Sequence, residues 1–205
     1  PDQDGAVDHS SVIYDDDGVL RSSFLAHIGA AIADRDTIAL KADVGNLHQS
    51  ELGDLLEALL PEQRRALVEL LGKDFDFSSL TEVDEAIRLE IVDNLPNAQI
   101  AQAVQELDSD DAVYILEDLD EEDQNEILAQ LPFTERIRLR RSLDYPEESA
   151  GRRMQTEFVA VPPFWTIGQT IDYLREDADL PESFSQIFVI DPTFRLLGVV
   201  DLDRI

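Results

Sequence analysis

A leucine, once replaced by valine, returns every twelve residues along most of this chain: Leu47, Leu59, Leu71, Val83, Leu95, Leu107, Leu119, Leu131 and Leu143. A fixed internal period narrows the possible folds more than any bulk property does. The last units read LPNAQIAQAVQE, LDSDDAVYILED, LDEEDQNEILAQ and LPFTERIRLRRS, each opening on Leu followed by Pro or Asp, with apolar residues returning near its end. Such a unit holds one helix of about eight or nine residues and a tight corner. Pro96 and Pro132 suit a first helical turn, and Asp108 or Ser109, Asp120 and Thr134 can cap free N–H groups. Asp111 and Asp123 stand three residues after Asp108 and Asp120, the spacing of a capping box. Helices this short are marginal alone in water, so they must stack on their neighbours. The expected fold is mainly α: a right-handed superhelical, armadillo-like solenoid whose core is the leucine ladder.

Charge supplies the second constraint. Lys and Arg number 16 against 45 Asp and Glu, a formal net charge of -29. That balance repels nucleic acid and anionic surfaces and attracts cations. With only Lys41 and Lys73 as lysines, a salt-adapted surface explains part of the total. The distribution adds more: no Lys or Arg occurs from Leu89 to Glu135, whereas Arg136, Arg138, Arg140, Arg141, Arg152 and Arg153 follow closely. Absence of cysteine excludes disulfides and thiolate metal sites. The opening PDQDGAVDHSS has no signal-peptide pattern, and no apolar run approaches the roughly 20 residues of a membrane span.

Three segments follow from these patterns. Residues 1–18 are polar and aspartate-rich and read as a mobile acidic tail. Residues 19–145 are the superhelical region, entered through a helix from about Val19 to Asp34. In residues 146–205 the period changes: TEFVAV reads as a strand, TIGQTIDYLRED as a helix, QIFVIDP and RLLGVVDL as strands, with Asp191, Pro192 and Thr193 as a turn. This β-α-β-β succession ends at Asp201, Asp203 and Ile205 as if entering a further helix, so the chain reads as a fragment of something longer.

Three stretches together resemble a known family. LHQSELGDLLEALLPEQRRALVELL, ELDSDDAVYILEDL and YPEESAGRRMQTEFVAVPPFWTIGQTIDYLR are similar to the cytosolic N-terminal part of MgtE-type magnesium transporters and channels. The resemblance runs from about Leu47 to Ile205. It implies a superhelical domain followed by a pair of CBS motifs, a connecting helix and a membrane-embedded pore, assembled as a homodimer. This sequence supplies the superhelix and most of the first CBS motif; the rest lies beyond residue 205. The family commonly reads SAGGLM at the join, where Arg152, Arg153 and Met154 follow Gly151 here. The resemblance also implies Mg2+ as a weak regulatory ligand, held in part by acids at the start of the helix after the Leu-Asp step. That match falls on Asp110 and Asp111; one turn later, where the family can place another acid, this chain has Tyr114. CBS clefts can take adenine nucleotides.

Magnesium favours oxygen ligands and tends to be held by one or two carboxylates plus waters. Candidate metal contacts are Asp108, Asp110, Asp111, Glu117, Asp118, Glu121 and Glu122. Acids at helix starts are already favourable as caps and against the helix dipole. Glu117 and Asp118 instead fall near a helix end, where negative charge opposes the dipole and an external cation is the more attractive account. An EF-hand is excluded at Asp108 because Ala112 and Val113 occupy required positions, and at DDDG because Ile13 does. No phosphate loop, zinc motif or nucleophile elbow occurs, and His9, His27 and His48 are scattered, so catalysis is not expected. Arg136 to Arg141 are expected to salt-bridge the acidic units, the alternative being that they face the adjoining membrane domain. The competing function is a superhelical interaction module of the kind found in flagellar motor switch proteins.

Overall fold

The computed structural model describes residues 13–176, 180–181 and 184–204. Of the expected acidic tail, residues 1–12, His9 included, lie outside them. From Ile13 onward the chain is anchored: Ile13 is buried, Tyr14 bridges to Leu20, and the Tyr14 hydroxyl donates to Asp54 Oδ2 at 2.7 Å. Burial, together with that carboxylate, pushes the Tyr14 phenol well above its usual range.

The superhelical region contains α1 (Ser22–Ala33), α2 (Thr37–Val44), α3 (Gln49–Ala58), α4 (Pro61–Leu71), α5 (Glu85–Val92), α6 (Asn97–Val104), α7 (Ser109–Leu116), α8 (Glu121–Gln130) and α9 (Phe133–Leu143). Between α4 and α5 the unit beginning at Leu71 departs from the repeat and forms two 3-10 turns, Gly72–Asp74 and Phe77–Thr81. Corners follow the expected chemistry in part: Asp120 caps α8, but Asp108 makes no side-chain cap bond at α7 and the N-cap of α9 is Pro132, not Thr134. Asp36, Asp84 and Asp120 accept backbone N–H bonds at helix starts, and His48 with Glu51 forms a capping box. Pro61 occupies the first turn of α4, whereas Pro96 and Pro132 sit one residue earlier, at the N-cap. No strand interrupts Leu95 to Leu143.

The leucine ladder forms part of the core: Leu59, Leu71, Val83 and Leu131 are buried, whereas Leu47, Leu95, Leu107, Leu119 and Leu143 are partly buried, packed against it. In several units the most deeply buried residues are the sixth, ninth and tenth, as in Leu52, Leu55 and Leu56, or Ile100, Ala103 and Val104, or Ala112, Ile115 and Leu116. These positions are three and four apart and so share one helix face. Full burial of each large side chain contributes about 1.5–3 kcal/mol. The sixth position is arginine in three units, and the two that are buried, Arg64 and Arg88, take acids from later units. Arg64 donates to the carbonyls of Leu56 and Leu59 at the end of α3 and pairs with Glu90 at 2.7 Å. Arg88 pairs with Asp118 at 2.6 Å.

The remaining chain forms β1 (Val159–Val161), α10 (Ile167–Glu176), β2 (Gln186–Ile190) and β3 (Leu196–Asp201), in the expected order. β1 lies parallel to β2, joined through α10, and β2 is antiparallel to β3. Ile187, Val159 and Val161 make a small core with Trp165 and Tyr173. The β2–β3 turn is set by Asp191, which accepts bonds from Thr193 and Arg195 and is thereby held at a pKa of about 2. Where the sequence reads as the entry to a further helix the chain forms a 3-10 turn, Leu202–Arg204; Ile205 lies outside the described residues.

Candidate functional site

The seven candidate carboxylates do not form one constellation. Asp108, Asp110 and Asp111 stand at the start of α7, Glu117 and Asp118 just past its end, about 12 Å away at 1.5 Å per residue. Glu121 and Glu122 are exposed on the first turn of α8. α7 is thus an acidic helix with two ends, and the fold treats them in opposite ways.

At the C-terminal end every carboxylate is matched by arginine. Glu117 Oε2 takes Arg152 Nε at 3.0 Å and its Oε1 takes Arg153 Nη1 at 2.5 Å. Asp118 takes Arg88, whose guanidinium also lies 4.2 Å from the Tyr114 ring centroid; Arg153 lies over the same ring at 5.2 Å. Burial works against the Arg88 charge, but the Asp118 bond outweighs it and raises its pKa. Arg152 also donates to the carbonyls of Leu143 and Tyr145, closing the end of α9. The cation expected at Glu117 and Asp118 is therefore supplied by the chain itself. The two departures at the join and at Tyr114 are one feature, since Arg153 stacks on Tyr114 and Arg152 neighbours it.

At the N-terminal end no ion pair answers Asp110 or Asp111 among the described residues. Burial first, then the charges of Asp110, Asp108, Glu82 and Asp76, push the Asp111 carboxyl up to about 6. Asp110 Oδ1 is buried with no hydrogen-bond partner. Asp76 and Glu82 arrive from the Phe77–Thr81 turn, which packs between α3 and α7. They were invisible to sequence reasoning because they lie about thirty positions upstream, in the unit that breaks the repeat. The only available signal was that break: Asp76 occupies a sixth position, where other units bury a core residue.

Asp76, Asp108 and Asp111 rim a polar cavity of about 750 Å³, open to solvent and bounded on the far side by Gln155, Glu157, Leu180 and Pro181 of the join. Glu157 is fixed tightly: its Oε2 accepts from Ser109 Oγ at 2.7 Å and Ser109 N at 3.2 Å, and its Oε1 pairs with Arg138 at 3.1 Å. Burial works to raise the Glu157 carboxyl, but the Ser109 and Thr156 bonds hold it below its usual range. Ser109 also accepts from Thr156 N and Oγ1, both at 2.8 Å, so the start of α7 is tied directly to the strand approach. Among the described residues no three acids converge closely enough to ligate one ion directly. The donor set suits a hydrated divalent cation held through one or two carboxylates and its own waters.

Of the other sequence expectations, Arg136 to Arg141 do not bridge the acids of α7 and α8: Arg138 goes to Glu157 and Arg140 to Asn125. His27 is on the surface, its Nε2 2.8 Å from Asp43, and His48 is a helix cap. No described helix is long and apolar enough to cross a membrane.

The fold is that of a known group. The MgtE intracellular N domain family matches residues 47–148. Those residues belong to the MgtE intracellular N domains. Magnesium transporter MgtE of Bacillus subtilis is 28% identical over 142 residues, covering 69% of this chain and 32% of that protein. Magnesium transporter MgtE of Thermus thermophilus is 28% identical over 189 residues, covering 84% of this chain and 39% of that protein. The chain thus spans about a third of the length of these curated relatives. A crystal structure of the cytosolic domain of the Mg2+ channel MgtE in complex with ATP superposes with a TM-score of 0.74 at 26% identity, over 87% of this chain and 73% of that one. The soluble part of a magnesium transporter shares the fold, with a TM-score of 0.72 at 22% identity over 89% of this chain and 72% of that one.

Proposed function

We propose that this chain is a cytosolic regulatory region of a magnesium transporter, a binding module and not an enzyme, which senses Mg2+ through the acids at the start of α7. The observation that carries the reading is the contrast between the two ends of that helix. Glu117 and Asp118 are neutralised internally, while Asp110 and Asp111 lie in the field of Asp76 and Glu82, with Asp111 raised to about 6. A fold that holds such like charges near one another at neutral pH gains free energy from a cation that joins them. Asp110, with its unpartnered buried oxygen, and Asp111 would hold the hydrated ion; Asp108 would assist from the cavity rim.

With magnesium scarce, repulsion favours an open arrangement of the superhelix against the CBS motifs that follow. With magnesium ample, bound ions let the acidic surfaces close and hold the pore shut. The shift is limited to the ion's differential affinity for the closed form, so several weak sites acting together are needed for a sharp response. Glu121 and Glu122 are candidates for the outer sites. Homodimerisation through paired CBS motifs and adenine nucleotide binding in their cleft belong to the same reading, the latter supported by the ATP complex of the similar cytosolic domain. The test is small-angle scattering on a chain extended through both CBS motifs, comparing millimolar magnesium with sodium at matched ionic strength. A magnesium-specific contraction, weakened by Asp110→Ala with Asp111→Ala, is expected. Equal contraction in sodium would reduce the acids to a salt-adapted surface.

A further inference from the structure

The basic stretch of α9 is not used by the site. Phe133, Arg136, Ile137, Arg140 and Arg141 share one outward face at helical spacing, opposite the buried Leu139 and Ser142. Phe133 is 67% exposed and Ile137 51%, forming an apolar ridge. Arg136 packs 5.6 Å from the Phe133 ring, Arg140 reaches only the neutral Asn125, and Arg141 is exposed. In a chain of net charge -29, none of these three arginines makes a carboxylate ion pair among the described residues. Arg138, on the inner side of the same helix, does so with Glu157.

We infer that this face docks on an anionic phospholipid bilayer, Phe133 and Ile137 entering the headgroup layer while Arg136, Arg140 and Arg141 hold lipid phosphates. The inference rests on the reading above, which places the chain beside a membrane. An acidic protein surface would satisfy the arginines but give the protruding Phe and Ile nothing apolar to enter; the bilayer interface satisfies both. Guanidinium groups match phosphate geometry in bidentate fashion. The remaining negative charge of the chain does not forbid contact, because charges more than about 8 Å from the bilayer are largely screened at physiological salt. The bond is weak by design of its size, and becomes effective where the rest of a transporter holds the face near the lipid.

The 205-residue chain is floated with vesicles of equal phosphatidylglycerol and phosphatidylcholine, and with phosphatidylcholine alone, at low and high salt. Binding to the anionic vesicles only, falling with salt, is expected. Each arginine contributes roughly fivefold in partitioning, so Arg136→Gln with Arg141→Gln should reduce binding more than tenfold, and Phe133→Ser with Ile137→Ser should also weaken it. These positions are exposed, and circular dichroism confirms that the variants fold. No flotation with anionic vesicles, or flotation unchanged in both pairs, overturns the inference. Loss of self-association in the variants, measured by sedimentation equilibrium without any lipid binding, would assign the face to a second copy instead. Both pairs should keep the magnesium-specific contraction, so its failure would count against the sensor and not against lipid docking.

Discussion

Replacing one acid at each end of α7 should move stability in opposite directions. At the far end, Asp118→Asn removes the carboxylate from Arg88, a guanidinium 3% exposed whose Nη1 already lacks a partner. Leaving a buried charge uncompensated costs about 3–5 kcal/mol. At the near end, Asp111→Asn removes a charge that burial first, and then the neighbouring acids, penalise, the two together raising this carboxyl from 3.8 to about 6. Taken unscreened, that shift corresponds to about 3 kcal/mol; discounted for a half-exposed group, the gain is about 1 kcal/mol. Because the folded state holds the Asp111 proton more tightly than the unfolded chain, the penalty is full above pH 6 and shrinks as pH falls from about 6 towards 3.8. Urea denaturation without divalent ions at pH 7 and pH 5 reads both signs. Asp111→Asn should be more stable than the parent at pH 7, and less so at pH 5. Adding magnesium should stabilise the parent and leave Asp111→Asn little changed. If Asp111→Asn proves destabilising at pH 7 without magnesium, the acids are structural and the contrast between the two helix ends has been misread.

Other expectations concern packing. Leu116→Ala, at a fully buried tenth position, should cost about 3–5 kcal/mol, and Leu107→Ala, at a half-buried corner, clearly less, by chemical denaturation. Gly53→Ala should destabilise by about 1–3 kcal/mol, since a Cβ there would meet Glu82 Cβ at 2.8 Å and push away the turn that brings Glu82 and Asp76 to Asp111. Its magnesium response should weaken as well, by calorimetry. Tyr114→Leu should loosen Arg153 and make the join more open to proteolysis, without altering the acids at the start of α7.

The twelve-residue period, the corner caps and the β-α-β-β order were legible because each is a local pattern in the chain. The leucine column gave only part of the depth: Leu59, Leu71, Val83 and Leu131 are buried, the others pack against the core, and the deepest burial falls on positions three and four apart later in the units. The acids were legible as a field but not as a site. Composition shows where charge lies along the chain, whereas pairing depends on contacts such as Glu117 with Arg152 or Asp111 with Asp76, which join residues 35 positions apart. The dipole argument did detect that Glu117 and Asp118 need a cation; only the identity of that cation was hidden.

The Ser109–Glu157 and Glu117–Arg152 contacts span 48 and 35 positions, while most helices of the superhelix touch only near neighbours in sequence. Short-range packing forms quickly, and long-range closure waits for the loop entropy to be overcome. During synthesis, then, the superhelix can assemble unit by unit, whereas Ser109 and Glu117 of α7 meet Glu157, Arg152 and Arg153 only once residues 152–157 have emerged. Until that moment Glu117 lacks its arginines, while Asp118 already has Arg88. A nascent chain halted before Arg152 would carry an intact solenoid with two competing anionic patches, and its native response to cations would appear only when the join docks.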